Sequence, residues 1–190
     1  ALIKLDRIVD AKAVFDQAKE NGANGEAFDL LEQQLADSTG NARNPPSDQL
    51  QPIVILFNQG LLQNVLSETT QMLEGYPNSF VLYNILGAAN ASLEQFDAAI
   101  KNYKKAIKIK PDYAEAYFNM GNALKDKGDQ EDAIENYKQA VLIKPDYAEA
   151  YYNMGITLND KGDPEAAIGS YRQAIKIKPD FAEAYHNMGN

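Results

Sequence analysis

The chain has 190 residues, 45% of them hydrophobic, which is enough to bury a core and excludes a largely disordered polypeptide. Its formal charge of -9, from 18 basic and 27 acidic side chains, argues against a general nucleic-acid binder, which must neutralise phosphates. Cysteine is absent and His186 is the single histidine, so disulfides, thiolate metal sites and histidine-rich metal sites are excluded, and no cofactor is expected.

The opening ALIKLDRIVDAK lacks the charged-then-apolar order of a signal peptide, and no apolar run reaches the roughly 18 to 20 residues that span a bilayer. A soluble, cytoplasmic chain without membrane association is therefore expected. In chain order, Ile8, Ala11, Phe15 and Ala18 fall at helical spacing, and Phe28, Leu31 and Leu35 suggest a helix over 26–36. Residues 1–36 thus read as partial or degenerate helical repeats. Residues 37–46, within DSTGNARNPPS, have the composition of a loop or linker.

From 47 to 190 the chain reads as one array. Residues 46–79 are a degenerate unit that keeps Leu56, Gly60, Val65, Met72 and Pro77, and Pro52 must lie in the first turn of its helix or kink it. Regular units follow at 80–113, 114–147 and 148–181, with a truncated one at 182–190. The period is explicit: PDYAEAYFNMG at 111–121 returns as PDYAEAYYNMG at 145–155 and PDFAEAYHNMG at 179–189. Units 114–147 and 148–181 agree at 22 of 34 positions, far beyond chance. Each unit splits into two short amphipathic helices. Gly128 and Gly162 are placed to end the first helix in the left-handed conformation, with Asp129 and Asp163 as caps of the second and Pro164 at its first position. Asp112, Asp146 and Asp180, each three residues before a glutamate, predict capping boxes at the first helices.

Within the units, Tyr117, Met120, Gly121, Leu124, Ala133, Tyr137, Ala140 and Pro145 reproduce the pattern of the tetratricopeptide repeat family, which this chain resembles. Tyr151, Met154, Gly155, Leu158, Ala167, Tyr171, Ala174 and Pro179 repeat it, and 80–113 departs from it at Asn90. The resemblance implies an all-α fold, a right-handed α-solenoid of antiparallel helix pairs whose hairpins bury their faces only by stacking. Arrays of this kind are found in bacteria, alone or ahead of O-GlcNAc-transferase-like or sulfotransferase domains.

The resemblance also implies which side chains border the concave surface: Glu115, Phe118, Asn119, Asn122, Lys125 and Asp126, then Glu149, Tyr152, Asn153, Ile156, Asn159 and Asp160, then Glu183, His186, Asn187 and Asn190. Asn119, Asn153 and Asn187 form a row, and similar asparagine ladders in O-linked N-acetylglucosamine transferases hold extended peptides through their backbone. The expected peptide-binding residues are accordingly Asn119, Asn153, Asn187, Phe118, Tyr152, His186, Asn122 and Lys125. The competing interpretation is that asparagine is common at this position. The family's two-carboxylate clamp lacks its basic residues here, with Phe118, Glu183 and Asn187 standing in their places.

No catalytic set is legible. The aspartates recur with the turns, as capping predicts, and a Ser/His/Asp triad cannot be assembled from one histidine. The lysines of 101–110 read as the solvated side of a helix. The expected function is a non-catalytic scaffold that binds an extended protein segment, neutral or basic because acidic side chains border the groove. The alternatives are the recognition arm of a larger glycosyl- or sulfotransferase and a self-assembling scaffold. For the last, the helix of 181–190 is expected to show an apolar face at Tyr185 and Met188 and to support end-to-end association.

Overall fold

The computed structural model describes residues 44–188, and among these the secondary structure is helical throughout. The helices are α1 (Ser47–Asn58), α2 (Leu62–Gly75), α3 (Phe80–Ser92), α4 (Phe96–Ile109), α5 (Ala114–Lys127), α6 (Gln130–Ile143), α7 (Ala148–Asp160), α8 (Pro164–Ile177) and α9 (Ala182–Met188). They pair as hairpins α1/α2, α3/α4, α5/α6 and α7/α8. The second helix of each hairpin packs on the first helix of the next, and first helices touch their successors along one side, α3 to α5 and α5 to α7. The result is an all-α solenoid. The helices expected before Ala36 lie outside the described residues. Of the expected linker, Asn44–Pro46 are described: Pro45 is buried, and Asn44 Oδ1 accepts a hydrogen bond from Ser79 Oγ at 2.8 Å.

The three regular hairpins share one packing device. Gly87, Gly121 and Gly155 face the rings of Tyr103, Tyr137 and Tyr171 so closely that an added Cβ would meet ring carbon Cε1 at 2.4, 2.6 and 2.5 Å. The missing side chain lets an aromatic ring lie flat against the partner helix. Buried alanines, among them Ala99, Ala123, Ala133 and Ala140, bring neighbouring helices close around these rings. In α1/α2 the same two positions hold Ile53 and Thr69, so volume moves from the second helix to the first, and both residues are buried. Thr69 Oγ1 is left without a hydrogen-bond partner.

The turns follow the expected glycine logic in part. Gly128 (φ 98°) and Gly162 (φ 88°) adopt the left-handed conformation after α5 and α7, and Glu94 takes it at the equivalent place after α3 with φ 58°. Asp163 caps α8 by accepting from Ala166 N–H at 3.1 Å, with Pro164 next to it. The caps expected at Asp112, Asp129 and Asp146 are corrected. Asp129 stands at the start of α6, but its carboxylate pairs with Lys127 at 3.1 Å and makes no cap bond. The residues at the starts of α5 and α7 are Tyr113 and Tyr147, one position after Asp112 and Asp146, and neither helix start has a side-chain cap. Pro52 is the sixth residue of α1, beyond the first turn, and the helix continues through it to Asn58. Of the pattern tyrosines, Tyr117 and Tyr151 are half-buried, and Tyr185 on α9 is 49% exposed.

Candidate functional site

The first helices carry the row of asparagines along the side where α3, α5, α7 and α9 succeed one another. The carboxamides are joined hairpin to hairpin. Asn119 Nδ2 donates to Asn84 Oδ1 at 3.2 Å, Asn153 Nδ2 donates to Asn122 Oδ1 at 2.8 Å, and Asn187 Nδ2 donates to Tyr152 Oη at 3.1 Å. The third pattern explains the second. Each donor reaches back to the fifth helical position of the preceding hairpin, held by Asn84 and Tyr152. Where that position is the apolar Phe118, the amide turns to Asn122 instead.

Asn122 is the most committed of the expected binding residues. Its Oδ1 accepts from both Tyr137 Oη and Asn153 Nδ2, each at 2.8 Å, which uses both of its lone pairs. Asn119, Asn153 and Asn187 are half-buried and spend one amide hydrogen each on the neighbouring hairpin, so they are partly structural rather than freely exposed.

Two aromatic steps stand beside this row. Phe118 lies 4.8 Å from the Tyr147 ring and 6.1 Å from Tyr137; Tyr152 lies 4.7 Å from Phe181 and 5.9 Å from Tyr171. The outer ring of each step is topped by a lysine, with Lys144 Nζ 4.6 Å above Tyr147 and Lys178 Nζ 4.9 Å above Phe181. Lys125, the lone lysine expected in the groove, is paired with Asp126 at 3.2 Å. His186 is exposed on α9 at the same helical position as Phe118 and Tyr152.

The acidic border acts on the neighbouring tyrosines, after burial. The Tyr147 hydroxyl is pushed up to about 12, first by burial and then by the charges of Glu115 and Glu149 and by Tyr113. Tyr113 is raised by burial and by Glu115, and Tyr137 by burial and by Asp126. The negative charge of the glutamates and Asp126 thus reaches the aromatic steps.

Asn84, Tyr113, Tyr147 and Phe181 were not among the residues expected at this surface. Asn84 was within reach of sequence reasoning, because carrying the positions of Phe118 and Tyr152 back by one period lands on it. The tyrosines sit in the turn before each first helix, where periodicity within a helix carries no information. Among the described residues there is no group of three or more acidic or histidine side chains suited to a metal, and no helix long and apolar enough to cross a membrane.

Residues 87–128, 121–162 and 157–190, together more than half of the chain, match the family profile described as TPR repeat. A protein of Arabidopsis thaliana described as a probable UDP-N-acetylglucosamine-peptide N-acetylglucosaminyltransferase SEC is 32% identical over 76 residues, which are 40% of this chain and 8% of that protein. The match thus spans less than a tenth of that relative. Among solved structures, MamA superposes with a TM-score of 0.66 at 28% identity, over 70% of this chain and 78% of its own. YrrB, a TPR protein with an unusual peptide-binding site, gives a TM-score of 0.66 at 21% identity, over 98% of this chain and 87% of its own. The first TPR of Spaghetti (RPAP3), bound to the HSP90 peptide SRMEEVD, gives 0.56 at 20% identity, over 58% of this chain and 87% of its own. At such identities the last two share the fold alone.

Proposed function

This chain belongs to the tetratricopeptide repeat family, and from that premise we propose that it is a non-catalytic scaffold whose concave face holds an extended polypeptide segment. The row of inter-hairpin carboxamides carries the reading. An amide offers two donors and two acceptor lone pairs, and the bonds between hairpins use one donor each at Asn119, Asn153 and Asn187. What remains can pair with a peptide backbone whatever its side chains. Touching first helices lie about 8–10 Å apart, and an extended chain rises about 3.3 Å per residue, so about three ligand residues match each hairpin. Phe118 and Tyr152 supply apolar contact at that interval, and Glu115, Glu149, Glu183 and Asp126 favour neutral or basic segments.

A displayed library of extended peptides selected on this chain, followed by calorimetry, tests the reading. Asn153→Ala should weaken a selected peptide by about 1 kcal/mol per lost hydrogen bond, and added salt should weaken basic peptides further. Unchanged affinity in Asn119→Ala, Asn153→Ala and Phe118→Ala alike would exclude the groove as the binding surface.

A second reading, the recognition arm of a larger transferase, is favoured by the 32% identity to the Arabidopsis protein. It requires selected segments to carry an acceptor serine or threonine, and a selected set without hydroxyls removes it.

A further inference from the structure

On the outer side of the solenoid, α4 and the end of α5 flank an open groove of about 420 Å³ lined by Asp97, Ile100, Lys101, Lys104, Leu124, Lys127 and Asp129. Ile100 and Leu124 form an apolar floor, 8% and 6% exposed. Lys127 is committed: its Nζ pairs with Asp97 at 3.0 Å and Asp129 at 3.1 Å. That contact is a structural brace between hairpins, because Lys161 and Glu131, at the positions one period on from Lys127 and Asp97, pair at 3.0 Å. Once the brace is set aside, two rim cations remain. Lys101 and Lys104 are exposed, neither forms an ion pair among the described residues, and the nearest carboxylate on α4, Asp97 one turn before Lys101, is held by Lys127.

The repeat supplies an internal control. One period on, the residues equivalent to Lys101 and Lys104 are Glu135 and Lys138, which face each other at 3.8 Å, and in the following unit they are Gly169 and Arg172. The fold therefore accepts a lysine, a glutamate or a glycine at the position of Lys101. The open pair of cations over an apolar floor belongs to one hairpin junction and not to the architecture.

We infer that this outer groove docks an acidic polypeptide segment in which an aliphatic side chain, flanked by carboxylates, rests on Ile100 and Leu124 while the carboxylates meet Lys101 and Lys104. Asp97, one helical turn before Lys101 on α4, and Asp129, at the start of α6, set the direction, since they repel a second carboxylate at that end of the groove. A phosphate polyanion fits less well. Its backbone would run on past those aspartates over a chain of net charge -9, and it offers nothing to an apolar floor. The site is separate from the concave face and has the opposite charge preference.

The test is fluorescence anisotropy at low ionic strength with a labelled peptide of one leucine between paired glutamates. Binding should be saturable, and it should fall about tenfold or more both with Lys101→Glu/Lys104→Glu and when the peptide glutamates become glutamine. Replacing the leucine by alanine should also weaken it, and the methyl resonances of Ile100 and Leu124 should shift on titration. Lys101→Gln/Lys104→Gln serves as a milder variant, with circular dichroism confirming helix content for both. The inference is overturned by absence of saturable binding to the unaltered chain, or by equal affinity in the folded variants. It is also overturned if short poly-dT or phosphatidylserine vesicles bind more tightly than the peptide, or if Lys101→Glu/Lys104→Glu abolishes a self-association of the unaltered chain.

Discussion

Gly121→Ala tests the contact on which the regular hairpins depend. The new Cβ would sit 2.6 Å from Cε1, 2.8 Å from Cδ1 and 3.1 Å from Cζ of Tyr137. Carbon atoms prefer about 3.5–4.0 Å, so the ring must retreat by close to 1 Å. It has nowhere to go: Tyr137 is 0% exposed, and its hydroxyl is tied to Asn122 at 2.8 Å. Overpacking costs about 1–3 kcal/mol and a strained hydrogen bond about 1 more, against a gain of about 1 from replacing glycine inside a helix. The net expectation is a loss of about 1–3 kcal/mol. Gly169→Ala is the matched control, because Gly169 also lies inside a helix but nothing approaches its missing Cβ within 4 Å. It should stabilise by up to about 1 kcal/mol. Urea unfolding followed by circular dichroism reads both. Equal, stabilising shifts from the two substitutions would refute the tight glycine–tyrosine contact, and so would a failure of Tyr137→Phe, which frees the ring from Asn122, to recover part of the Gly121→Ala loss.

Three further outcomes are expected. Thr69→Val should stabilise the α1/α2 hairpin by about 1 kcal/mol in thermal melts, because it removes a fully buried hydroxyl that has no partner at nearly constant volume. Glu94→Gly should raise stability by somewhat less than about 1 kcal/mol, since it relieves a left-handed residue at the turn where Gly128 and Gly162 stand in later hairpins, partly offset by glycine's freedom when unfolded. Helix content should fall as pH rises from about 10 towards 12. Tyr103, Tyr113, Tyr137, Tyr147 and Tyr171 are all raised by burial, so over that window the unfolded chain loses protons that the folded chain keeps. Ultraviolet titration of tyrosinate should coincide with loss of the helical signal, and tyrosines that ionise with helices intact would contradict the burial.

What the sequence made legible is what the period repeats. Gly121 and Tyr137, Gly128, Asp163 with Pro164, and the helix pairs themselves recur or follow local chemistry, so spacing alone locates them. Departures from the period were harder to place. Thr69 and Ile53 exchange volume across a hairpin, and neither residue signals it alone. The capping expectation failed at Asp112 and Asp146 because the box pattern fixes a spacing between side chains but not the backbone position at which the helix begins; that position falls on Tyr113 and Tyr147. Asp129 matched its cap position, yet a nearby ammonium, Lys127, competes for the same carboxylate. The brace from Lys127 to Asp97 spans 30 residues and is visible only once the hairpins are stacked.

The asparagine row shows why position and role separate. Sequence placed Asn119, Asn153 and Asn187 on one face of successive first helices, where an exposed amide would be spare for a ligand. Stacking brings each amide within 3.2 Å of an acceptor on the preceding hairpin, so the same side chains also fasten the groove they line. Removing all three by Asn→Ala therefore removes three inter-hairpin hydrogen bonds, at about 0.5–1.5 kcal/mol each, before any ligand is added. A loss of peptide affinity in that triple variant has two sources, a missing contact and a loosened scaffold. Phe118→Asn separates them. It supplies an acceptor at the fifth position, as Asn84 does for Asn119, and removes the apolar step. If ordering of the row governs affinity, Phe118→Asn should retain binding of peptides that lack a large apolar residue; if the aromatic step governs it, binding should fall for every peptide, measured at a temperature where the variant, which loses the Phe118 ring contacts, is fully folded.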